Sequence, residues 1–194
     1  FNTDDGLTKD APKADYQLRT TGAADSQYEM VKRLELSEDE FRQLKAHSKE
    51  KNILFLSTPF DHGSVSLLDR LGVDVYKVAS GEIVNLPLLK DIASRGKPMF
   101  VSTGMSNLGE VETAVQSIQS QGNQEFILLH CVSNYPADPA DINLSAMQTM
   151  ASAFGVSVGY SDHTVGIEVP MAAVAMGACV IEKHLTLDNS MAGP

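Results

Sequence analysis

Residues 159–188, GYSDHTVGIEVPMAAVAMGACVIEKHLTLD, decide the fold that we expect for this chain. Two short apolar runs flank a segment of helical spacing from Gly166 to Gly177, and this pattern predicts strand, helix, strand. His163 and His184 each come where a predicted strand ends. Because the carboxyl ends of parallel strands collect chemistry at one rim, the two histidines indicate a shared metal ion.

Similar strand ends occur earlier in the chain, where apolar runs close on small hydroxyl or charged residues. ILFLSTP (residues 53–59) ends on Ser57 and Thr58, VYKVASGE (75–82) on Ser80 and Glu82, MFVSTG (99–104) on Ser102 and Thr103, and ILLHCVSNYP (127–136) on Ser133 and Asn134. Each predicted strand therefore delivers a polar group to the same rim.

The segments between these runs have helical patterns. Ser37 and Glu40 form a capping box, and Pro87 stands where a first-turn proline belongs. Alternating strands and helices predict the α/β class, with a parallel sheet and helical crossovers. We count about six strands from Ile53 to Asp188, whereas a (βα)8 barrel needs eight and runs to about 250 residues. Residues 1–27 are polar and without a period, so we expect a long loop there that could act as a lid.

Composition narrows the classes of function. The net charge of -10 argues against binding to nucleic acid or to an anionic membrane surface. No apolar stretch approaches the roughly 20 residues that cross a bilayer. Cys131 and Cys179 both lie in apolar runs, and two buried, reduced thiols would suit a cytoplasmic protein.

Nine strings in this order carry a family resemblance: FNTDD, APKADYQ, STPFD, YKVASGEIVNLPLL, STGM, LLHCVSNYPA, NLSAM, GYSDHT and IEKHLTLDNSMAGP. Together they resemble the sialic acid synthases, which use phosphoenolpyruvate to make nonulosonic acids. The resemblance implies a TIM (βα)8 barrel, of which residues 1–194 supply about the third to eighth strands. It also implies two earlier strands and a C-terminal antifreeze-like domain outside this sequence, and a homodimer.

The resemblance further implies roles for individual residues. His163 and His184 match the ligands of a divalent cation, manganese before magnesium or cobalt. The phosphoenolpyruvate-binding set corresponds to Thr58, Lys77, Ser80, Ser102 and Ser161. Glu82 matches a carboxylate that holds sugar hydroxyls, Tyr135 a residue of the sugar pocket, and Glu182 an acidic neighbour of the reacting centre. Ser133 stands where several relatives have asparagine. The expected substrates are phosphoenolpyruvate and an acyl-amino sugar such as N-acetylmannosamine, with Glu182, Lys77 and Glu82 as catalytic residues.

Alternatives remain at the level of sequence. Strand-end histidines are often only hydrogen-bonded core residues, and a lysine such as Lys77 can snorkel from an apolar strand. The same barrel could serve another metal-dependent enzyme, either a sugar-phosphate condensing synthase or a hydrolase, or an inactive binding module. Strand alternation adds one discriminating prediction: Asp162 and Lys183 point away from the histidines, and Lys183 belongs to a structural ion pair.

Overall fold

Five parallel strands form one sheet in the computed structural model, which describes residues 1–191 and 193. The strands are β1 (Tyr76–Val78), β2 (Met99–Ser102), β3 (Phe126–Cys131), β4 (Val158–Asp162) and β5 (Ile181–Lys183). They pair in sequence order, and each connection between neighbours contains a helix. The α/β class and the parallel sheet predicted from the sequence are therefore confirmed.

Nine helices lie within the described residues: α1 (Thr3–Gly6), α2 (Asp15–Thr21), α3 (Gln27–Lys32), α4 (Glu38–Glu50), α5 (His62–Leu71), α6 (Leu86–Ser94), α7 (Leu108–Gln119), α8 (Ser145–Phe154) and α9 (Glu168–Ala175). Short 3-10 turns cover Ser80–Glu82 and Pro139–Asp141. The predicted capping box starts α4, since Ser37 N–H donates to the Glu40 carboxylate at 2.7 Å and Ser37 Oγ accepts from Glu40 N–H at 3.3 Å. No helix among the described residues is long and apolar enough to cross a membrane.

Alternation along the strands separates the core from the rim. Tyr76 and Val78 of β1 are buried in the core cluster beneath the helices, whereas Lys77 between them lines the opposite, cavity side. The core lies between the sheet and α5 to α8, and its largest fully buried members include Leu88, Leu89, Ile92, Ile118, Leu128 and Met147. One face of the sheet therefore supplies stability and the other supplies polar groups.

Two expectations about local structure were wrong. The run at residues 53–56 forms no strand in the described chain, because Ile53 N–H bonds back to Ser48 O at 3.0 Å and the run pairs with neither edge of the sheet. Residues 1–27 are not one long loop but include α1 and α2. These short helices escape a search for apolar periodicity because local caps stabilise them: Asn2 Oδ1 accepts from Asp4 N–H, and Gln17 Oε1 from Ala14 N–H.

Candidate active site

A cavity of about 640 Å³ opens at the carboxyl ends of the five strands. It is lined by most of the predicted site residues, namely Thr58, Lys77, Ser80, Ser102, Ser133, Tyr135, Ser161, His163, Glu182 and His184. Glu82 is not among its described lining residues, and its carboxylate instead accepts a hydrogen bond from Asn85 Nδ2 at 2.8 Å. The carboxyl ends of the parallel strands thus bring residues from distant parts of the chain together in one cavity.

Strand register places three cavity residues side by side. Cys131, Ser161 and Glu182 are partners across β3, β4 and β5, so their side chains face the same way. Ser161 Oγ donates to Glu182 Oε2 at 2.6 Å. Glu182 is therefore a hydrogen-bonded carboxylate on the wall of the cavity.

Lys77 brings a cation to this carboxylate. Its Nζ lies 3.4 Å from Glu182 Oε2 and donates to Val78 O at 3.1 Å. Only 8% of the Lys77 side chain is exposed, against 40% for Glu182. A buried ammonium with one carboxylate and one carbonyl still has a third donor to offer, so Lys77 is suited to an anionic ligand.

His163 and His184 fit the predicted metal site. Their ring centroids are 5.5 Å apart. His163 Nδ1 lies 2.6 Å from Val132 O, and because a carbonyl only accepts, Nδ1 carries the proton and Nε2 keeps its lone pair. Burial lowers the pKa of His163, and the nearby His184 adds to this effect, so the neutral form that binds metals is favoured.

Two histidines alone would leave most coordination positions of a cation open. No group of three or more His, Cys, Asp or Glu side chains among residues 1–191 and 193 is arranged to hold a metal ion. A cation at His163 and His184 would therefore need water or substrate oxygens to complete its shell. That arrangement is typical of a catalytic metal site and differs from a closed structural one.

Small polar groups surround Gly104 at the floor of the cavity. Gly104 N–H donates to Ser80 Oγ at 3.0 Å, and Ser80 Oγ lies 2.9 Å from Cys131 Sγ. A Cβ atom at Gly104 would come within 2.5 Å of Ser133 Oγ, so only glycine fits. Nearby, Ser102 Oγ is buried without a hydrogen-bond partner among the described residues. Since an unpaired buried hydroxyl is costly, Ser102 is free to bind a ligand.

Aromatic rings form the wall next to the histidines. The Tyr135 ring is 4.2 Å from the His163 ring and 5.7 Å from the His184 ring, measured between centroids. Burial raises the pKa of Tyr135, and nearby Cys131 and Tyr16 raise it further. Its hydroxyl therefore stays protonated near neutral pH.

Tyr16 also lines the cavity, and the sequence reasoning missed it. It lies in a segment that was expected to be a loop, and the one available signal was its place in the string APKADYQ. Phe60, Met105 and Cys131 were likewise not predicted as lining residues.

Predictions for residues around the cavity had mixed outcomes. Lys183 Nζ contacts the Asp162 carboxylate and donates to Thr164 O at 2.8 Å, so the predicted structural ion pair of Lys183 is confirmed. Lys183 nevertheless lines the cavity, so its predicted direction away from the site was wrong. Burial opposes ionisation of Asp162, but hydrogen bonds from Lys183 and Thr164 outweigh it and lower the pKa of that carboxyl. Cys131 is buried as expected; Cys179 is exposed, so the expectation of two buried thiols was wrong.

Known proteins resemble this chain along its whole length. The model of the NeuB family matches residues 1–194. The chain is 51% identical to the N,N'-diacetyllegionaminic acid synthase of Campylobacter jejuni, covering 100% of the chain and 59% of that protein. It is 48% identical to the synthase of the same name from Legionella pneumophila, covering 100% of the chain and 56% of that protein.

A solved structure gives the same picture. The N-acetylneuraminic acid (sialic acid) synthetase of Leptospira borgpetersenii superposes with a TM-score of 0.84 at 43% identity, over 91% of this chain and 62% of that one. The five-stranded sheet is thus an arc of a (βα)8 barrel. The chain spans between half and two thirds of the length of these relatives.

Proposed function

Because the chain belongs to the NeuB family, we propose that its protein condenses phosphoenolpyruvate with an acyl-amino sugar to a nonulosonic acid and releases phosphate. The observation that carries the proposal is the shared cavity, in which the buried cation of Lys77 and the hydrogen-bonded carboxylate of Glu182 lie beside two histidines. A cation that binds the anionic nucleophile, a proton acceptor and a place for a Lewis acid are the parts that this reaction needs.

The floor of the cavity suits phosphoenolpyruvate. Lys77 provides charge, Ser80 Oγ, which accepts from Gly104 N–H at 3.0 Å, provides an oriented hydroxyl, and the Ser102 hydroxyl has no protein partner among the described residues. Charge-assisted hydrogen bonds of this kind hold phosphate and carboxylate groups. Thr58 and Ser133 line the same cavity and complete the proposed binding set together with Ser161.

We propose that His163 and His184 hold a divalent cation, with manganese as the first candidate and magnesium or cobalt as the others. When bound, such a cation supplies Lewis acidity for the negative charge that develops on the aldehyde oxygen of the open-chain sugar. The neutral imidazole of His163, fixed through Val132 O, contributes a nitrogen ligand without cancelling that charge.

Glu182 is the proposed proton acceptor. The new carbon–carbon bond leaves a cationic centre on the former phosphoenolpyruvate carbon, which a water molecule attacks. One proton of that water passes to the Glu182 carboxylate and from there to the alkoxide formed from the aldehyde. The carbon–oxygen bond to phosphate then breaks with its electron pair going to phosphate, and the proton of the new hydroxyl group passes to the departing phosphate, which leaves the keto group. Ser161 Oγ at 2.6 Å and Lys77 Nζ at 3.4 Å hold the carboxylate in place for this step.

The sugar would occupy the side of the cavity near Tyr135, beyond the two histidines. Glu82 lies outside the cavity lining, so its proposed role in holding sugar hydroxyls requires a turn of its side chain away from Asn85. Within the acyl-amino sugars, we propose that one with two acetamido groups is preferred to N-acetylmannosamine. Two relatives at 51% and 48% identity that bear the name N,N'-diacetyllegionaminic acid synthase support this choice.

We also propose a cytoplasmic homodimer, as the family resemblance implies. The free thiols of Cys131 and Cys179 suit a reducing compartment. The acidic net charge of -10 gives no support to nucleic acid or membrane surfaces as partners.

The test is phosphate release by the protein in its full natural length, with phosphoenolpyruvate and manganese present. We expect release only when N-acetylmannosamine or a diacetamido sugar is added, and its loss on chelation. Phosphate release that is independent of any acyl-amino sugar would contradict the proposal and favour another barrel enzyme. Binding of phosphoenolpyruvate without turnover on any sugar of the panel would instead favour a binding module.

A further inference from the structure

A clamp at the N-terminal side of the cavity holds α2 in place. Lys13, whose side chain is only 2% exposed, forms an ion pair with Asp25 and donates to Thr21 Oγ1 at 3.0 Å and to Gly22 O at 2.9 Å. Lys13 thereby ties both ends of the segment from residue 13 to residue 25 together. A helix held in this way presents its side chains in a defined direction.

Tyr16 is the residue of α2 that reaches the cavity. It lines the cavity, and its ring centroid lies 5.7 Å from that of Tyr135. Tyr135 in turn contacts His163, with ring centroids 4.2 Å apart. The three rings form an aromatic row that runs from the histidine pair to α2, and Tyr16 stands at its far end.

Resting on the proposed function, we infer that Tyr16 is a specificity-determining residue that packs against an acylamino substituent of the sugar remote from the reacting aldehyde. The two histidines mark the reacting end of the sugar, and Lys77 with Ser80 marks the anionic end of phosphoenolpyruvate. Tyr16 lies one ring beyond Tyr135, so it meets a distal part of the sugar. A flat, half-buried ring offers apolar contact to an acetamido methyl and to the face of its amide.

The test compares two sugars on matched variants of the full-length protein. The sugars are N-acetylmannosamine and a diacetamido sugar, and the variants are Tyr16→Ala, Tyr16→Leu and Tyr16→Phe. Leu18→Ala is the control, because Leu18 lies on the same helix, is 40% exposed and does not line the cavity. For each variant, KM is measured for both sugars and for phosphoenolpyruvate.

We expect Tyr16→Ala and Tyr16→Leu to raise KM for the preferred sugar about 10-fold or more, since an apolar contact in a specificity pocket discriminates by roughly 10- to 200-fold. KM for phosphoenolpyruvate should stay unchanged, and the kcat/KM ratio between the two sugars should fall. Tyr16→Phe keeps the ring and should retain the wild-type ratio, as should Leu18→Ala.

An unchanged kcat/KM ratio in both Tyr16→Ala and Tyr16→Leu would overturn the inference while leaving the proposed function intact. An equal loss for sugar and phosphoenolpyruvate would also overturn it, since that pattern belongs to a residue that only supports the fold. Tyr16→Leu keeps apolar volume on α2, so the comparison survives if Tyr16→Ala folds poorly. A wild-type protein that needs no sugar for phosphate release would reject the proposed function itself, and the inference with it.

Discussion

Replacement of Lys77 by methionine tests the electrostatics of the cavity most directly. The side chain is 8% exposed, and its Nζ lies 3.4 Å from Glu182 Oε2. Methionine keeps similar length and removes the cation. Because hydrogen bonds to charged groups contribute about 1.5–3 kcal/mol, and about 1.4 kcal/mol is a factor of ten, phosphoenolpyruvate binding should weaken about 10- to 100-fold. Glu182 also loses its counter-charge, so kcat should fall as well.

Lys183→Met is the matched control for this change. Lys183 also lines the cavity, but its ammonium is bound to Asp162 and Thr164 O on the outer side of the sheet. We expect Lys183→Met to lower thermal stability while leaving KM for phosphoenolpyruvate near the wild-type value. Steady-state phosphate release measures both kinetic constants for the two variants. If Lys77→Met kept the wild-type KM and kcat, Lys77 would be a structural residue and the assignment of the anionic subsite would be wrong.

Other predictions address the metal, the floor and the ion pair. His163→Ala and His184→Ala should each abolish tight manganese binding in calorimetry with the fold retained by circular dichroism; undiminished binding in either variant would remove that histidine from the site. Gly104→Ala should lower the free energy of unfolding by about 1–3 kcal/mol through overpacking and should impair phosphoenolpyruvate binding. Gly81→Ala is the control, because a Cβ at Gly81 has nothing within 4 Å, and it should have neither effect. Equal effects of the two substitutions would contradict the crowding argument. Asp162→Asn should lower the free energy of unfolding by about 1.5–3 kcal/mol at pH 7. Since the folded-state pKa of Asp162 lies below 3.8, this stability is present above that pH and is lost as pH falls through the folded-state pKa, so denaturant titrations of the two proteins should converge in acid. A constant difference across that range would show that the carboxylate charge is not the cause.

The sequence predicted the parts of the fold that depend on buried periodicity. The runs around Lys77, Ser102, Ser161 and Glu182 are true strands, and their parallel pairing brings their ends to one cavity. Strands of a covered parallel sheet are apolar, and their carboxyl ends lie at the same edge of the sheet. A short stretch of sequence is therefore enough to predict both the strand and the place of its last residues. Strand alternation correctly separated Asp162 from the cavity lining and predicted an ion pair for Lys183, although part of Lys183 does line the cavity.

Other features depend on contacts that a linear pattern does not contain. Residues 53–56 have strand composition, but a strand exists only with a paired neighbour, and Ile53 is held by the end of α4. Tyr16 reaches the cavity because the Lys13–Asp25 clamp fixes α2, and neither partner has a periodic signature. Glu82 follows a strand as predicted, yet a local contact with Asn85 directs its carboxylate elsewhere.

The register between β4 and β5 also determines whether the site residues are correctly aligned. Ser161 is the register partner of Glu182, and Asp162 is the partner of Lys183. A slip of one residue would turn every side chain of one strand to the opposite face. It would separate the Asp162–Lys183 ion pair and the Ser161–Glu182 hydrogen bond at the same time, leaving the Asp162 carboxylate buried without its cation. The ion pair thus stabilises the register of β4 and β5, and this register in turn keeps Ser161 and Glu182 aligned on the cavity side of the sheet.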